Sequence, residues 1–248
     1  MQKKIILSLW IVAGLSLTAS SAKIQKVNFE FNDGTETLSA DRSKVAKITF
    51  TEDPYEEVIN GHTFVYLGAV DADGKPTEKL WWATMNVGAT TPQEYGNYYS
   101  WGETDIKESY SIPAYTYQDN PTTLPATADA ATVNWGDESR MPTRSEWDAL
   151  INLGNDAWVW SDGEQGTAST KAGYTVTSPT TKKSIFLPAA GYYSEATRNS
   201  CGTHGYYWSS TYNSESIACY MYFLSSTHCV NTNYRFMGQS VRAVTEIE

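Results

Sequence analysis

Gly205-Tyr206-Tyr207-Trp208-Ser209-Ser210-Thr211 and, closer to the C terminus, Gly238-Gln239-Ser240-Val241-Arg242-Ala243-Val244 decide how this chain is read. Both are short β-prone runs opened by glycine and rich in aromatic or branched residues, the pattern of buried strands entered through tight turns. The segment between them is a run of Tyr, Asn, Ser, Thr, His and Cys. Tyrosine offers rigid amphipathic contact area and Ser and Asn offer adaptable hydrogen bonds, so this composition suits a recognition surface better than a reactive centre.

Working outward, further strands are expected at 64–67, 80–83, 157–160, 174–177, 185–187, 206–209, 218–223 and 241–244, separated by turns such as Asp71 to Thr77. One helix is clear. Thr143-Arg144-Ser145-Glu146 has capping-box spacing behind Pro142, Trp147, Leu150 and Ile151 then share one face, and Gly154 closes the turn. Val87 to Asn134 reads as a long irregular region, with 117–129 its most mobile part. Trp81, Trp101, Trp147 and Trp208 read as core. The expected class is α+β with short strands, little helix and long loops.

The N terminus carries Lys3 and Lys4 before an apolar run from Ile5 to Leu17, then Ser20-Ser21-Ala22. That is the layout of a signal peptide over residues 1–22, too short to span a bilayer, and it predicts export to the periplasm, cell surface or medium. No later segment is long and apolar enough for a transmembrane helix. Residues 23–53 read as a small β-hairpin unit. In it Val27, Phe29 and Phe31 alternate, Asn32-Asp33-Gly34-Thr35 turns, and Val45, Ile48 and Phe50 return. Two strands are marginal alone, so this unit is expected to pack on a neighbour or to self-associate. Asp53-Pro54 marks the boundary with the main domain, residues 55–248.

The formal charge is -10, and loss of Lys3 and Lys4 with a leader would make it two units more negative. An acidic chain without a basic run is a poor match for nucleic acid or anionic membrane. Cys201, Cys219 and Cys229 all fall near the C terminus, which leaves room for one disulfide and one thiol over.

Further motifs join those two: Asn60-Gly61-His62, Trp82-Ala83-Thr84-Met85-Asn86-Val87-Gly88-Ala89-Thr90, Tyr98-Tyr99-Ser100-Trp101-Gly102-Glu103-Thr104, Arg140 to Trp147, and Ser184-Ile185-Phe186-Leu187-Pro188-Ala189-Ala190-Gly191. In this order they resemble the Fibrobacter succinogenes major paralogous domain of exported Bacteroides-type proteins, over roughly residues 60–244. The resemblance implies a C-type-lectin-like fold related to formylglycine-generating enzymes and to the variable proteins of diversity-generating retroelements. In those variable proteins the ligand-binding segment lies between the Tyr-Trp-Ser-Ser and Ser-Val-Arg motifs. Carried over by position, Tyr220, Tyr222 and Leu224 alternate with Met221 and Phe223 and would form an exposed face. Tyr212, Asn213, Asn231, Asn233, Tyr234 and Phe236 would sit on neighbouring loops.

Reactive chemistries fit less well. A calcium lectin site needs converging oxygen ligands, and Glu-Pro-Asn, Gln-Pro-Asp and Trp-Asn-Asp motifs are absent; Asn134-Trp135-Gly136-Asp137 has the wrong order, with Trp135 read as core. Cys201-x-x-His204 with Cys219, His228 and Cys229 offers thiolate and imidazole ligands, but adjacent His228 and Cys229 point apart if extended. Ser209 and Ser210 lack a Gly-x-Ser-x-Gly elbow. Arg242 reads as a structural ion pair or a cap on backbone groups. The expectation is therefore a non-catalytic binder of a glycan or protein, with no cofactor and no metal. A structural part of a surface assembly and a formylglycine-generating-enzyme-like metal oxidoreductase are the alternatives.

Overall fold

A computed structural model describes residues 53–163 and 171–247, together with the backbone of 26–30 and 37–41. The leader assigned to residues 1–22 lies outside them. The chain divides into two compact units, Met1–Asp53 and Pro54–Glu248. In the first, β1 (Lys26–Glu30) pairs antiparallel with β2 (Thr37–Asp41), Lys26 opposite Asp41 and Glu30 opposite Thr37. The strand that pairs with β1 thus comes sooner than the Val45–Phe50 return expected from the pattern, which itself falls outside the described residues.

The second unit is mostly β with little helix, an α+β domain. One sheet runs β16-β5-β4-β3 from β3 (Glu56–Ile59), β4 (His62–Val65), β5 (Leu80–Asn86) and β16 (Arg242–Glu246). A second runs β14-β13-β12-β15-β6 from β6 (Tyr98–Tyr99), β12 (His204–Tyr212), β13 (Ile217–Leu224), β14 (Thr227–Tyr234) and β15 (Gln239–Ser240). A third joins β7 (Trp158–Ser161), β8 (Gly173–Thr177) and β9 (Ser184–Pro188), and β10 (Tyr192–Ser194) forms a hairpin with β11 (Thr197–Asn199).

Helix α2 (Arg144–Ile151) carries the expected capping box. Thr143 Oγ1 accepts from Glu146 N at 3.3 Å and Glu146 Oε2 accepts from Thr143 N at 2.7 Å. Trp147 and Leu150 are buried against Trp82, Tyr207, Met221 and Phe223. Gly154, at φ +101°, follows the C-cap Asn152 and turns the chain toward β7. A second helix, α1 (Ala130–Trp135), lies inside the region read as irregular. Its N-cap is Asp129, whose Oδ1 accepts from Ala131 N and Thr132 N while Oδ2 accepts from Met141 N. One short carboxylate thus satisfies the exposed end of the helix and ties it to the next segment.

Two buried arginines hold the architecture. Arg242 donates to Asn86 Oδ1 from Nε (2.9 Å) and Nη2 (2.7 Å), to Ala83 O (2.9 Å) and to Phe186 O (2.7 Å). It caps backbone carbonyls of β5 and β9 with no carboxylate at ion-pair distance among the described residues, and complete burial lowers its pKa to about 10. Arg235 sits over Trp101 at 4.6 Å and donates to Asn120 Oδ1, Glu215 O, Asp119 O, Tyr117 O and Tyr115 Oη. Leu124 N adds a bond to Ser210 O at 3.0 Å. The 117–129 segment, suggested by its composition as the loosest part of the domain, is therefore anchored at several points.

Two aromatic clusters flank β12 and β13. One holds Tyr99, Trp101, Leu124, Ala128, Trp208, Ala218 and Tyr220; the other holds Trp147, Trp158, Leu187, Tyr207, Met221 and Phe223. Gly205 is needed between them, since a Cβ there would meet Phe223 Cζ at 2.0 Å.

A candidate recognition face on β12–β14

Antiparallel pairing decides which side chains share a face, because directly opposed residues point the same way. Tyr206 opposes Tyr222 and Trp208 opposes Tyr220 on β12–β13; Tyr222 opposes Cys229, Tyr220 opposes Asn231 and Ala218 opposes Asn233 on β13–β14. One face therefore carries Tyr206, Tyr220, Tyr222, Leu224, Cys229, Asn231 and Asn233. The other carries Tyr207, Met221, Phe223, His228, Val230 and Tyr234. Alternation of Tyr220, Tyr222 and Leu224 against Met221 and Phe223 holds in the structure.

Exposure does not follow the alternation. Tyr220 is 6% exposed and belongs to the Trp101–Trp208 cluster, which corrects its assignment to the surface. The reason is the 98–135 segment, whose Trp101, Leu124 and Ala128 fill that end of the face. Tyr222 and Leu224, two and four residues on, are half-buried. Burial pushes the Tyr220 phenol well above its ordinary value, neighbouring tyrosines adding to the shift.

Several loop assignments are corrected as well. Asn231, Asn233 and Tyr234 lie on β14, and Tyr212 is the last residue of β12. Tyr212 leans on Trp101 at 6.2 Å and near Arg235 at 5.9 Å, so it helps pin the 115–120 segment. Asn231 Oδ1 accepts from Thr232 N and Asn233 Oδ1 from Tyr234 N, both at 2.8 Å, leaving each carboxamide its NH2 group for an outside acceptor. Tyr234 is 53% exposed on the opposite face and stacks on Phe236 at 5.5 Å, away from Tyr222. Asn213 is exposed in the β12–β13 turn.

Three aromatic side chains missed by position-based reasoning complete the face. Tyr206 lies parallel to Tyr220 (5.5 Å, 2°) and edge-on to Tyr222 (5.3 Å, 69°). Tyr192, from the β10–β11 hairpin, packs on Tyr206 at 4.7 Å, and His204 approaches Tyr222 at 5.8 Å. Tyr192, His204, Tyr206 and Tyr222 are all partly exposed. Pairing parity points to Tyr206 once β12 and β13 are known to be a hairpin; nothing in the sequence around Tyr192 places it here. Such ring pairs contribute about 0.5–1.5 kcal/mol each beyond burial, so the platform is preorganised.

The reactive candidates are separated by the same parity. Cys219 faces the inner side and Cys229 the Tyr222 side, so the disulfide left open by the sequence does not form between them, and all three cysteines are free. Burial raises the thiol pKa of both Cys219 and Cys229, which disfavours thiolate. His228 stacks on Trp158 (4.5 Å, 8°) on the inner face, away from His204. Among the described residues no three His, Cys, Asp or Glu side chains converge as a metal site would require. Ser210 Oγ donates to Pro142 O and Ser209 Oγ accepts from Thr211 N, both buried. Trp135 is buried beneath His62 while Asp137 and Glu138 are exposed. Elsewhere a shallow depression of about 300 Å³ is lined by Glu78, Ser145, Glu146 and Glu246. Arg140 bridges the last two carboxylates. No described helix is long and apolar enough to cross a membrane.

A family model described as a domain of unknown function (DUF8237) matches residues 170–244, a span that contains the whole of this face. No curated protein and no solved structure matches the chain.

Proposed function

We propose that residues 54–248 form a non-catalytic recognition domain of C-type-lectin-like architecture, akin to the major paralogous domain, exported behind the N-terminal leader. Its ligand is a glycan or a protein surface bound on the β12–β14 face. The observation that carries this reading is the partly exposed ring platform of Tyr192, His204, Tyr206 and Tyr222, bordered by Leu224, Asn231 and Asn233. Flat aromatic faces stack on the C–H faces of sugars or on apolar side chains, and the Asn carboxamides supply donors at the rim. Neither a metal nor a covalent step enters this reading.

The test is binding of the full chain to a glycan array and to an extracellular-protein array, repeated with Tyr222→Ala and with Tyr206→Ala/Tyr222→Ala. Retained folding by circular dichroism with loss of the array signal supports the reading; an unchanged signal in the double variant defeats it. Metal analysis after purification without chelators addresses the oxidoreductase alternative, which requires a stoichiometric transition metal.

A second reading, a structural part of a surface assembly, draws on the β1–β2 pair, a two-stranded sheet in which, among the described residues, each strand has one edge without a partner strand. Deleting residues 23–53 should then lower the oligomeric state seen by light scattering.

A further inference from the structure

The chain is acidic, and most of its described cations are committed. Lys107 meets Glu103, Arg140 meets Glu146 and Glu246, Arg144 meets Asp148, Lys183 meets Glu56, and Arg235 and Arg242 are buried. Lys171 and Arg198 are different. Lys171 Nζ and Arg198 Cζ each lie 5.4 Å from the ring centre of Tyr95. Among the described residues neither has a carboxylate within ion-pair distance. The carboxylate next in sequence to Tyr95, Glu94, is turned onto Thr90 N (2.6 Å) and Thr90 Oγ1 (2.9 Å).

We propose that Lys171 and Arg198, gathered on Tyr95, form a subsite for an anionic group, a carboxylate or a sulfate ester carried by the ligand of the neighbouring aromatic face. This rests on the proposed recognition function and narrows its ligand class to acidic glycans.

The two places are joined by a short piece of chain. On the β10–β11 hairpin Arg198 opposes Tyr193, and Tyr192 opposes Asn199, so Arg198 projects on one side of the hairpin and Tyr192 on the other. The turn that follows carries Cys201, which lies beside the Tyr95 hydroxyl, and leads directly to His204 and Tyr206 of the platform. Tyr95 itself is fixed from behind, its carbonyl accepting from Asn86 Nδ2 (3.0 Å) and Ser240 Oγ (3.3 Å). The cations are thus mounted on a held ring, Arg198 being an exposed residue that also engages the Tyr98 hydroxyl and Lys171 a half-buried one.

Overall negative charge does not forbid this. At physiological salt the screening length is about 8 Å, so the remote acids act weakly while two cations in contact with an anion act at full strength. A guanidinium also offers paired donors that match a carboxylate or sulfate edge.

The test has two arms. Inorganic sulfate is titrated into the full chain and followed by amide NMR shifts at residues 198–203 and at Arg198 Nε. Saturable shifts that vanish in Lys171→Gln/Arg198→Gln are expected; non-saturating shifts, or shifts that survive the double variant, overturn the proposal. In the second arm polygalacturonate, dextran sulfate and neutral dextran are compared by affinity electrophoresis. The double variant should weaken retention by the preferred acidic polymer at least tenfold, and whichever polymer is preferred assigns the carboxylate or the sulfate ester. Equal retention of acidic polymers by wild type and double variant overturns the subsite. Tyr222→Ala should keep the sulfate shifts and lose polymer binding, so failure of the aromatic platform alone leaves the sulfate result standing.

Discussion

Tyr220 and Tyr222 stand two residues apart on the same face of β13, yet one is core and the other is half open to solvent. Strand parity treats them as equivalent. What separates them is depth in one cluster: Tyr220 is buried in it together with Trp101, Leu124 and Ala128 of the 98–135 segment, whereas Tyr222 packs against it from the margin and stays partly exposed. A sheet face is therefore divided by what packs on it, and the exposed rings lie at the margin of that packing.

This contrast can be broken in four ways. Tyr220→Ala should lose about 3–5 kcal/mol, because it empties a packed aromatic site, whereas Tyr222→Ala should lose less than about 1.5 kcal/mol. Urea unfolding followed by tryptophan fluorescence measures both, and equal losses would erase the distinction. Arg235→Ala comes next. It leaves the carbonyls of Tyr117, Asp119 and Glu215 without their donor and should destabilise the domain by about 3 kcal/mol, with protease cleavage appearing first between residues 115 and 124.

The third test uses neighbours on β12 that point to opposite faces, Tyr206 and Tyr207. Complete burial holds the Tyr207 phenol up to about 12 against an ordinary 10.0. A raised folded pKa means that the folded state keeps its proton longer, so stability is full below pH 10 and falls as pH rises toward 12. The fall attributable to Tyr207 is about 2–3 kcal/mol. Arg242, lowered to about 10 from 12.5, acts in the opposite sense over the same range, so the comparison that isolates Tyr207 is with Tyr207→Phe. That variant loses the bond to Pro188 O but should show a flatter alkaline slope in thermal melts; an unchanged slope would mean the phenol does not report burial.

The smallest effect is Gly205→Ala. Its Cβ would strike the Phe223 ring on the inner face, costing about 1–3 kcal/mol and leaving the Tyr222 side intact in chemical shift.

Much of the scaffold was legible in the chain. The Thr143–Glu146 capping box, the buried tryptophans and the hydrophobic strands are written in nearest-neighbour chemistry, and local rules suffice for them. Helix α1 was hidden because its six residues are too few to show a period, and its cap, Asp129, is recognisable only once Met141 N is beside it. Strand β14 does not declare itself in the sequence because its Thr, Asn and His residues carry no hydrophobic alternation; its register is imposed by β13.

By itself the sequence determined an acidic, aromatic-rich α+β domain of short strands with one strongly capped helix, and it determined which residues of β13 share a face. The tertiary structure decided which of those residues meet solvent, and it brought Tyr192, His204 and Tyr206 to Tyr222, and Lys171 and Arg198 to Tyr95. The physical reason is range. Propensity, capping and alternation act over a few residues, while burial and the gathering of distant side chains depend on which segment covers which surface.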